Sequence, residues 1–307
     1  MNLLNKVLVP SIQILPRGVV KIFANKYIAG DKLSDAVSAV KILNSKKLMA
    51  TIDVLGESIT DKNEAKNSME ENLKVLEAIN SNDLDCNLSI KLTMLGLVID
   101  YNYCMSLVSE ILEKAKSLNR FVRIDMEDSS VTESTIKIFE EARKKFSNVG
   151  IVIQAYLRRS EKDILRLTEE KANFRICKGI YVEPENIAFK DPDEIRSNFL
   201  KILRLAFERK AYVGIATHDE YLLKESVKMV KELGLKKDEY EFQMLLGVKE
   251  NLRNGAVEKG HRMRVYVPFG NRWYEYSIRR FKENPNIAGQ VIRSIFERNT
   301  FDKETMG

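Results

Sequence analysis

The sequence predicts a (β/α)8 barrel, an α/β fold in which eight parallel strands alternate with helices. From residue 48 onward, short apolar runs rich in β-branched and aromatic residues recur eight times, each followed by an amphipathic stretch. Strands that alternate with helices form right-handed parallel crossovers, and eight such units in about 250 residues match the size of a closed barrel. An open doubly wound sheet is the alternative, but no GxGxxG follows the first strand and the strand count favours closure.

The eight runs have the composition of strands that are buried on both faces, because polar residues are few within them. They cover residues 48–56, 88–92, 121–126, 150–157, 174–181, 212–218, 240–245 and 264–269.

The segments between the runs predict helices. Residues 60–78 carry acidic side chains early and apolar side chains near the helical period later. Residues 130–145 open with Thr132 and Glu133, which resemble a capping box, and close with three basic residues that suit the carboxyl end of a helix dipole.

The chain is expected to comprise an N-terminal helical arm, residues 1–47, and a barrel domain, residues 48–307. The first 30 residues read as one or two amphipathic helices broken at Pro10 and Pro16, because proline lacks a backbone donor and clashes with the preceding turn. A helix lying on a membrane surface is the alternative interpretation of this arm.

Composition excludes several classes of protein. With 44% hydrophobic and 31% charged residues, the 307-residue chain is not expected to be disordered. The net charge of +6 is interspersed with acidic residues, whereas a dedicated nucleic-acid binder carries a denser basic stripe. Three widely spaced cysteines suggest a reducing, cytoplasmic compartment, and no stretch reaches the roughly 20 apolar residues that span a bilayer.

Each predicted strand carries a polar or ionisable residue within it or near its carboxyl end. In a barrel these ends converge on one mouth, where the active sites of this fold lie. Buried charges must pair or meet a ligand, so we expect a site there, although an internal ion pair between Lys91 and Asp125 remains open. The eight residues are Asp53, Lys91, Asp125, Gln154, Arg175, His218, Gln243 and Tyr266.

The last predicted helix, residues 273–284, places four polar residues on one face. Tyr276, Arg279, Arg280 and Glu283 fall at i, i+3, i+4 and i+7. A tyrosine beside two guanidinium groups suits a carboxylate, because guanidinium offers paired donors to two carboxyl oxygens. A solvated amphipathic helix is the alternative that composition leaves open.

These residues also carry a resemblance. The chain resembles the monofunctional bacterial proline dehydrogenases and the proline dehydrogenase domain of bifunctional proline utilisation proteins, from about Tyr27 to Asn284. The resemblance implies a flavoprotein with a distorted (β/α)8 barrel and a final helix across the barrel mouth. Its motifs are LGE (55–57), SIKL (89–92), RIDMED (123–128), IQAYLRR (153–159), FRICKGIY (174–181), ATHD (216–219), EFQMLLG (241–247), YVPFG (266–270) and YSIRRFKEN (276–284).

The resemblance implies that FAD lies across the carboxyl ends of the strands. A cation near the reactive edge of the flavin would stabilise the negative charge that develops as hydride arrives, which suits Arg175. With two histidines in the chain, a histidine-rich metal site is excluded. The residues assigned to FAD are Gln154, Arg175, Gly179, Thr217, His218 and Gln243.

The resemblance also implies a site for L-proline. It assigns the carboxylate to Lys91, Arg279 and Arg280, and the walls around the ring to Tyr266, Tyr276 and Leu245. Asp125 is expected to hold Lys91 or a neighbouring tyrosine, Glu283 to hold an arginine of its own helix, and Glu57 to pair with Arg279 as a gate. At Ile180, where the family has alanine, three extra carbons enter a small pocket.

The implied reaction is oxidation of L-proline to Δ1-pyrroline-5-carboxylate by hydride transfer to flavin N5. A membrane quinone is the implied electron acceptor, with a peripheral contact at the inner membrane face, and a pyrroline-5-carboxylate dehydrogenase is the implied partner. An aldolase-like barrel that uses Lys91 as a Schiff-base lysine is the enzymatic alternative. The third interpretation, an RNA-binding or membrane-surface adaptor, would rest on the net positive charge.

Overall fold

In a computed structural model, eight parallel strands close into a barrel in sequence order, β1 to β8, with β8 paired to β1. The structure describes residues 20–21, 24, 26–56, 59–168, 172–274 and 276–278. The strands are β1 (Met49–Val54), β2 (Cys86–Ile90), β3 (Val122–Ile124), β4 (Val149–Gln154), β5 (Asn173–Cys177), β6 (Tyr212–Ala216), β7 (Tyr240–Leu245) and β8 (Met263–Phe269). The predicted barrel is therefore confirmed, and the open sheet is excluded.

Helices cover the outside of the barrel. They are α1 (Leu33–Ser45), α2 (Lys62–Ser81), α3 (Tyr101–Ser117), α4 (Ser129–Arg143), α5 (Ser160–Thr168), α6 (Pro192–Glu208), α7 (Glu220–Glu232) and α8 (Glu250–Glu258). A 3-10 turn, Leu92–Leu95, follows β2. Residues 273–274 and 276–278 are also helical, at the place where the sequence predicts the final helix.

Aspartates begin several of these helices. Asp61 accepts hydrogen bonds from two backbone N–H groups at the start of α2, and Asp128 accepts one from Ser130 at the start of α4. The capping box expected at Thr132 and Glu133 is wrong, since α4 begins earlier. Thr132 is buried, and its hydroxyl donates to the backbone oxygen of Asp128 at 3.1 Å.

Helix α1 lies in the segment that we assigned to the N-terminal arm, and it packs into the main core. Ala36, Val40 and Leu43 form its buried stripe at helical spacing, and they belong to the same apolar cluster as the strands. The expected breaks at Pro10 and Pro16 lie outside the described residues. Within the described part of the chain, no helix combines the length and the apolar character that crossing a bilayer requires.

Alternate residues of the strands have different chemistry. One set is apolar and joins the core under the helices, for example Ile52, Phe174 and Phe242. The other set is largely polar, and side chains from strands that are not neighbours meet one another, as Arg175 of β5 meets Asp125 after β3. The polar set therefore points into the interior of the barrel.

Candidate active site

Lys91 lies between two carboxylates at the carboxyl end of the barrel. It follows β2 directly, and its ammonium forms an ion pair with Asp53 Oδ1 of β1 and lies 3.9 Å from Asp125 Oδ2. The Lys91 side chain is 10% exposed and that of Asp53 is 2% exposed, so water contributes little to their solvation. The internal pair expected between Lys91 and Asp125 thus exists only as the longer of two contacts.

Asp125 contacts four side chains, from β2, β5, β8 and the residue after β2. Its Oδ1 accepts hydrogen bonds from the Ser89 hydroxyl and from the Arg175 guanidinium. Its Oδ2 accepts one from the Tyr266 hydroxyl at 2.7 Å, beside the longer contact with Lys91. The Arg175 guanidinium also lies 5.1 Å from the centre of the Tyr266 ring, in cation–π geometry. Asp125 therefore holds Tyr266 directly, whereas Lys91 is held more closely by Asp53.

The charged groups of this cluster shift one another's pKa values. Burial raises the pKa of Asp53 despite the nearby ammonium of Lys91. Burial would also raise the pKa of Asp125, but the cations of Arg175 and Lys91 outweigh it and lower that pKa. Burial would lower the pKa of Lys91, but its two carboxylate neighbours raise it. Burial next to Asp125 raises the pKa of Tyr266 well above its ordinary value. At neutral pH the cluster holds Lys91 as a cation and Tyr266 as a neutral phenol.

A second polar layer fills the barrel below this cluster, two residues earlier along the strands. Arg264 of β8 forms a two-pronged ion pair with Glu241 of β7, at 2.7 and 3.1 Å. Glu241 also accepts hydrogen bonds from the Tyr212 hydroxyl at 2.8 Å and from the Gln243 amide at 2.6 Å. Arg264 and Glu241 are not among the predicted site residues, although the period of two along each strand places them on the same face as Tyr266 and Gln243.

The residues that the resemblance assigns to FAD lie together on one side of the mouth, at the ends of the consecutive strands β4 to β7. The Gln154 amide donates to the Glu127 backbone oxygen at 2.8 Å, and the Gln243 amide donates to Glu241, so one N–H of each amide is engaged inside the barrel. The Thr217 hydroxyl accepts the Asp219 N–H at 3.1 Å.

His218 links the ends of β6 and β7. The Leu245 N–H donates to His218 Nε2 at 2.8 Å. Because a backbone N–H can only donate, Nε2 carries no proton in this contact and the proton of the neutral imidazole lies on Nδ1. His218 therefore fixes the end of β7, and with it the position of Leu245.

The connection after β5 is held at two points. Gly179 has φ +109°, and a Cβ at this position would fall on the Tyr156 ring, so only glycine fits there. Glu183 is buried and accepts hydrogen bonds from the backbone N–H of Ser129, at 2.7 Å, and from its hydroxyl. The half-buried Ile180 lies between these two points.

Tyr276 covers part of the mouth from the final helix. It is 8% exposed and packs with Leu55, which follows β1, and with Ala24 and Ile28 from the N-terminal arm. Leu245, the last residue of β7, is the register partner of Tyr266 in the middle of β8. The remaining predicted residues lie outside the described part of the chain: Glu57, Arg279, Arg280 and Glu283.

Comparison with known proteins gives a consistent result over most of the chain. A family model described as proline dehydrogenase matches residues 36–293. Proline dehydrogenase 1 of Bacillus subtilis subsp. natto is 38% identical over 275 residues, which cover 90% of this chain and 91% of that protein. Proline dehydrogenase of Deinococcus radiodurans is 31% identical and covers 94% of both chains.

The fold is also found within larger proteins. Proline utilization A of Bdellovibrio bacteriovorus, in a crystal structure of the protein inactivated by N-propargylglycine, aligns with a TM-score of 0.79 and 25% identity over 85% of this chain. The chain corresponds to 33% of that protein, and to 23% of the Bifunctional protein PutA of Escherichia coli, to which it is 25% identical over 86% of its length.

Proposed function

The chain belongs to the proline dehydrogenase family, and from that premise we propose that it oxidises L-proline to Δ1-pyrroline-5-carboxylate with FAD as the hydride acceptor at N5. The observation that carries the proposal is the buried cluster at the barrel mouth, in which Lys91 and Arg175 surround Asp125. Such a cluster offers fixed charges to an amino-acid carboxylate and to a reducible ring, without a metal.

The donor set on β4 to β7 fits a flavin. The side-chain amides of Gln154 and Gln243 each carry donors and an acceptor, with one N–H of each engaged inside the barrel, and Arg175 supplies a buried cation. Gly179 brings backbone to the mouth where any larger residue would strike Tyr156. We assign these residues, with Thr217 and His218, to FAD, which supplies two-electron chemistry when bound.

We assign the adjoining part of the mouth, from the end of β7 round to β2, to the substrate. Lys91 would bind the carboxylate of L-proline, together with Arg279 and Arg280 from the final helix. Tyr266, Tyr276 and Leu245 would pack against the ring, and the Tyr266 hydroxyl is fixed by its bond to Asp125. Glu283 would hold an arginine of that helix, and Glu57 with Arg279 would close the site against water. The protein thereby contributes orientation and electrostatics.

The direct test is the visible absorption spectrum of the purified protein. We expect a yellow protein whose flavin absorbance is bleached by anaerobic addition of L-proline and is unaffected by D-proline. A folded, colourless protein that takes up no FAD would contradict the proposal. A yellow protein that L-proline does not bleach would retain the cofactor assignment and exclude the substrate.

The contacts of Lys91 disfavour the aldolase-like alternative. Schiff-base formation needs a neutral amine, and a lysine serves this purpose when its pKa is depressed. Burial alone would depress the pKa of Lys91, but Asp53 and Asp125 raise it. Borohydride trapping of a substrate adduct on the unmodified protein would restore this alternative.

We further assign a membrane quinone as the electron acceptor, reached by a peripheral contact from the cytoplasmic side, and a pyrroline-5-carboxylate dehydrogenase as the partner that consumes the product. The support for the partner is the likeness to proteins whose name includes the word bifunctional. Quinone reduction in the presence of lipid vesicles, compared with quinone reduction in their absence, tests the acceptor and the membrane contact together.

A further inference from the structure

Asp53 is a buried carboxylate whose hydrogen bonding is half complete. Its Oδ1 contacts Lys91, whereas its Oδ2 is buried and has no hydrogen-bond partner among the described residues. A buried carboxylate oxygen without a donor costs free energy. A protein typically keeps a group with such a free-energy cost where the charge of that group has a function.

Asp125 differs from Asp53 in this respect. Its two oxygens are shared among Ser89, Arg175 and Tyr266, with Lys91 as a more distant neighbour. A substitution of Asp125 would disturb several groups at once. Asp53 has one ion pair, with Lys91, and Tyr266, its other polar neighbour, is a neutral phenol, so its charge acts chiefly on the lysine.

The surroundings of Lys91 leave Asp53 as its closest counter-charge. Burial favours the neutral amine, and the carboxylates oppose it, with Asp53 the largest contributor and Asp125 the next. Glu127 contributes more weakly and is engaged by both the N–H and the hydroxyl of Thr93. The charged groups that act on Lys91 are Asp53, Asp125 and Glu127, and Arg175 and Tyr266 contact Asp125 from β5 and β8.

We propose that Asp53 is a positioning residue that keeps Lys91 protonated and thereby protects it from covalent capture by the aldehyde form of the reaction product. This inference rests on the proposed function, because the cyclic imine product is the source of the aldehyde. It assigns a role to a residue that contacts the lysine and that needs no contact with the substrate.

The chemistry of capture is simple. Water adds across the C=N bond of the cyclic imine, and the ring opens to a primary amine and an aldehyde. A neutral lysine has a lone pair that attacks the aldehyde carbon, forms a C–N bond and, with loss of water, gives an imine. An ammonium group has no such lone pair. Because the site binds carboxylates, the open-chain aldehyde acid would be held close to Lys91, where proximity accelerates the attack.

The test uses the FAD-loaded protein and an added aldehyde acid, succinic semialdehyde, with cyanoborohydride to fix any imine. Peptide mass spectrometry then gives the fraction of Lys91 that is modified. We expect Asp53→Asn to increase this fraction at least tenfold near neutral pH, since each unit of decrease in the Lys91 pKa increases the neutral fraction about tenfold. Asp53→Glu retains the charge and should behave as the wild type.

Lys114 provides a matched control. It pairs with Glu77 at 2.9 Å, and the two side chains are 35% and 57% exposed, so water can replace the carboxylate when it is removed. Glu77→Gln should leave the modification of Lys114 unchanged. The modification of Lys114 also normalises the amount of Lys91 adduct within each digest.

Two outcomes would overturn the proposal. The first is equal modification of Lys91 in Asp53→Asn and in the wild type, provided that both proteins unfold cooperatively. The second is equal modification of Lys91 in Asp53→Asn and in Asp53→Glu. Should Asp53→Asn fail to fold, the wild type decides. Its Lys91 modification should then be small near neutral pH and increase only towards about pH 11, and extensive modification near neutral pH would overturn the proposal. Because the aldehyde is added, these results stand even if L-proline proves not to be oxidised.

Discussion

The volume of single residues inside the barrel decides where the polar side chains can lie. Gly214 of β6 faces the interior, and a Cβ at this position would fall on the Gln243 amide. The glycine thus makes room for a side chain that we assign to FAD. A similar relation holds at Gly150, where a Cβ would strike the Arg123 guanidinium.

We therefore expect Gly214→Ala to displace Gln243, to lower the free energy of unfolding by about 1–3 kcal/mol and to weaken FAD binding. Gly255→Ala is the control, since this glycine lies in α8 and an added Cβ meets nothing within 4 Å. There alanine should be neutral or stabilising by up to about 1 kcal/mol. FAD titration and thermal unfolding measure both effects, and equal FAD affinity in the two variants would argue against the assignment of Gln243.

Ile180 is the residue at which we expect substrate range to be set. Replacing it with alanine removes three carbons between the fixed points Gly179 and Glu183, so the pocket should admit a ring substituent. We expect kcat/KM for 4-hydroxy-L-proline relative to L-proline to increase by about tenfold in Ile180→Ala. An unchanged ratio would mean that Ile180 points away from the ring.

At the level of elements, the connection between β5 and α6 depends on a neighbouring helix. Glu183 places its carboxylate at the amino terminus of α4, where the unpaired N–H groups and the helix dipole stabilise negative charge. The segment that carries Gly179 and Ile180 is thereby tied to α4 as well as to Tyr156.

Glu183→Ala should consequently lower the free energy of unfolding by about 1–2 kcal/mol and raise KM for L-proline more than it lowers kcat. Glu183→Gln keeps an acceptor for Ser129 and should lose less stability. Thermal unfolding and steady-state kinetics on the three proteins provide the test. If Glu183→Ala loses stability with no change in KM, the anchor stabilises α4 without positioning the connection.

The elements themselves could largely be predicted from the sequence. Apolar runs and amphipathic stretches marked every strand and most helices, because burial on both faces and a single buried stripe leave distinct patterns. Helix α4 begins one residue before the predicted start because Asp128 caps it. The link between Glu183 and α4 could not be predicted, since it joins residues 54 positions apart in a connection without periodicity.

For the whole molecule, closure of the barrel turns separate polar residues into two layers. The sequence indicated the upper layer because its members lie near the ends of the runs. The pairing of Asp53 with Lys91, and that of Arg264 with Glu241, depends on which side chains meet across the interior. That information arises only once the register of all eight strands is fixed.

The lower layer predicts an acid-dependent stability. Burial would raise the pKa of Glu241, but Arg264 outweighs it and holds the pKa below the ordinary value of 4.5. A carboxyl group whose pKa is lowered by folding stabilises the protein above its ordinary pKa, and this contribution is lost as pH falls through that value towards the folded-state pKa. The ion pair should therefore weaken below about pH 4.5.

We expect Glu241→Gln to lower the free energy of unfolding by about 3–5 kcal/mol at neutral pH, because it leaves Arg264 buried without its counter-charge. The difference between variant and wild type should shrink as pH falls below 4.5. Denaturant unfolding over a series of pH values measures this difference. A difference that stays constant into acid would show that Glu241 does not stabilise the fold through its charge.

The ion pair inside the lower layer also constrains how such barrels diverge. Arg264 and Glu241 lie on adjacent strands, and their side chains are 7% and 2% exposed. If one of the two is lost, water therefore cannot solvate the charge of the other. A homologous protein that has lost the carboxylate at position 241 is expected to have lost the arginine at position 264 as well, or to have gained another carboxylate close to it. Positions 241 and 264 should therefore covary among homologous barrels, with apolar pairs appearing together and mixed pairs absent.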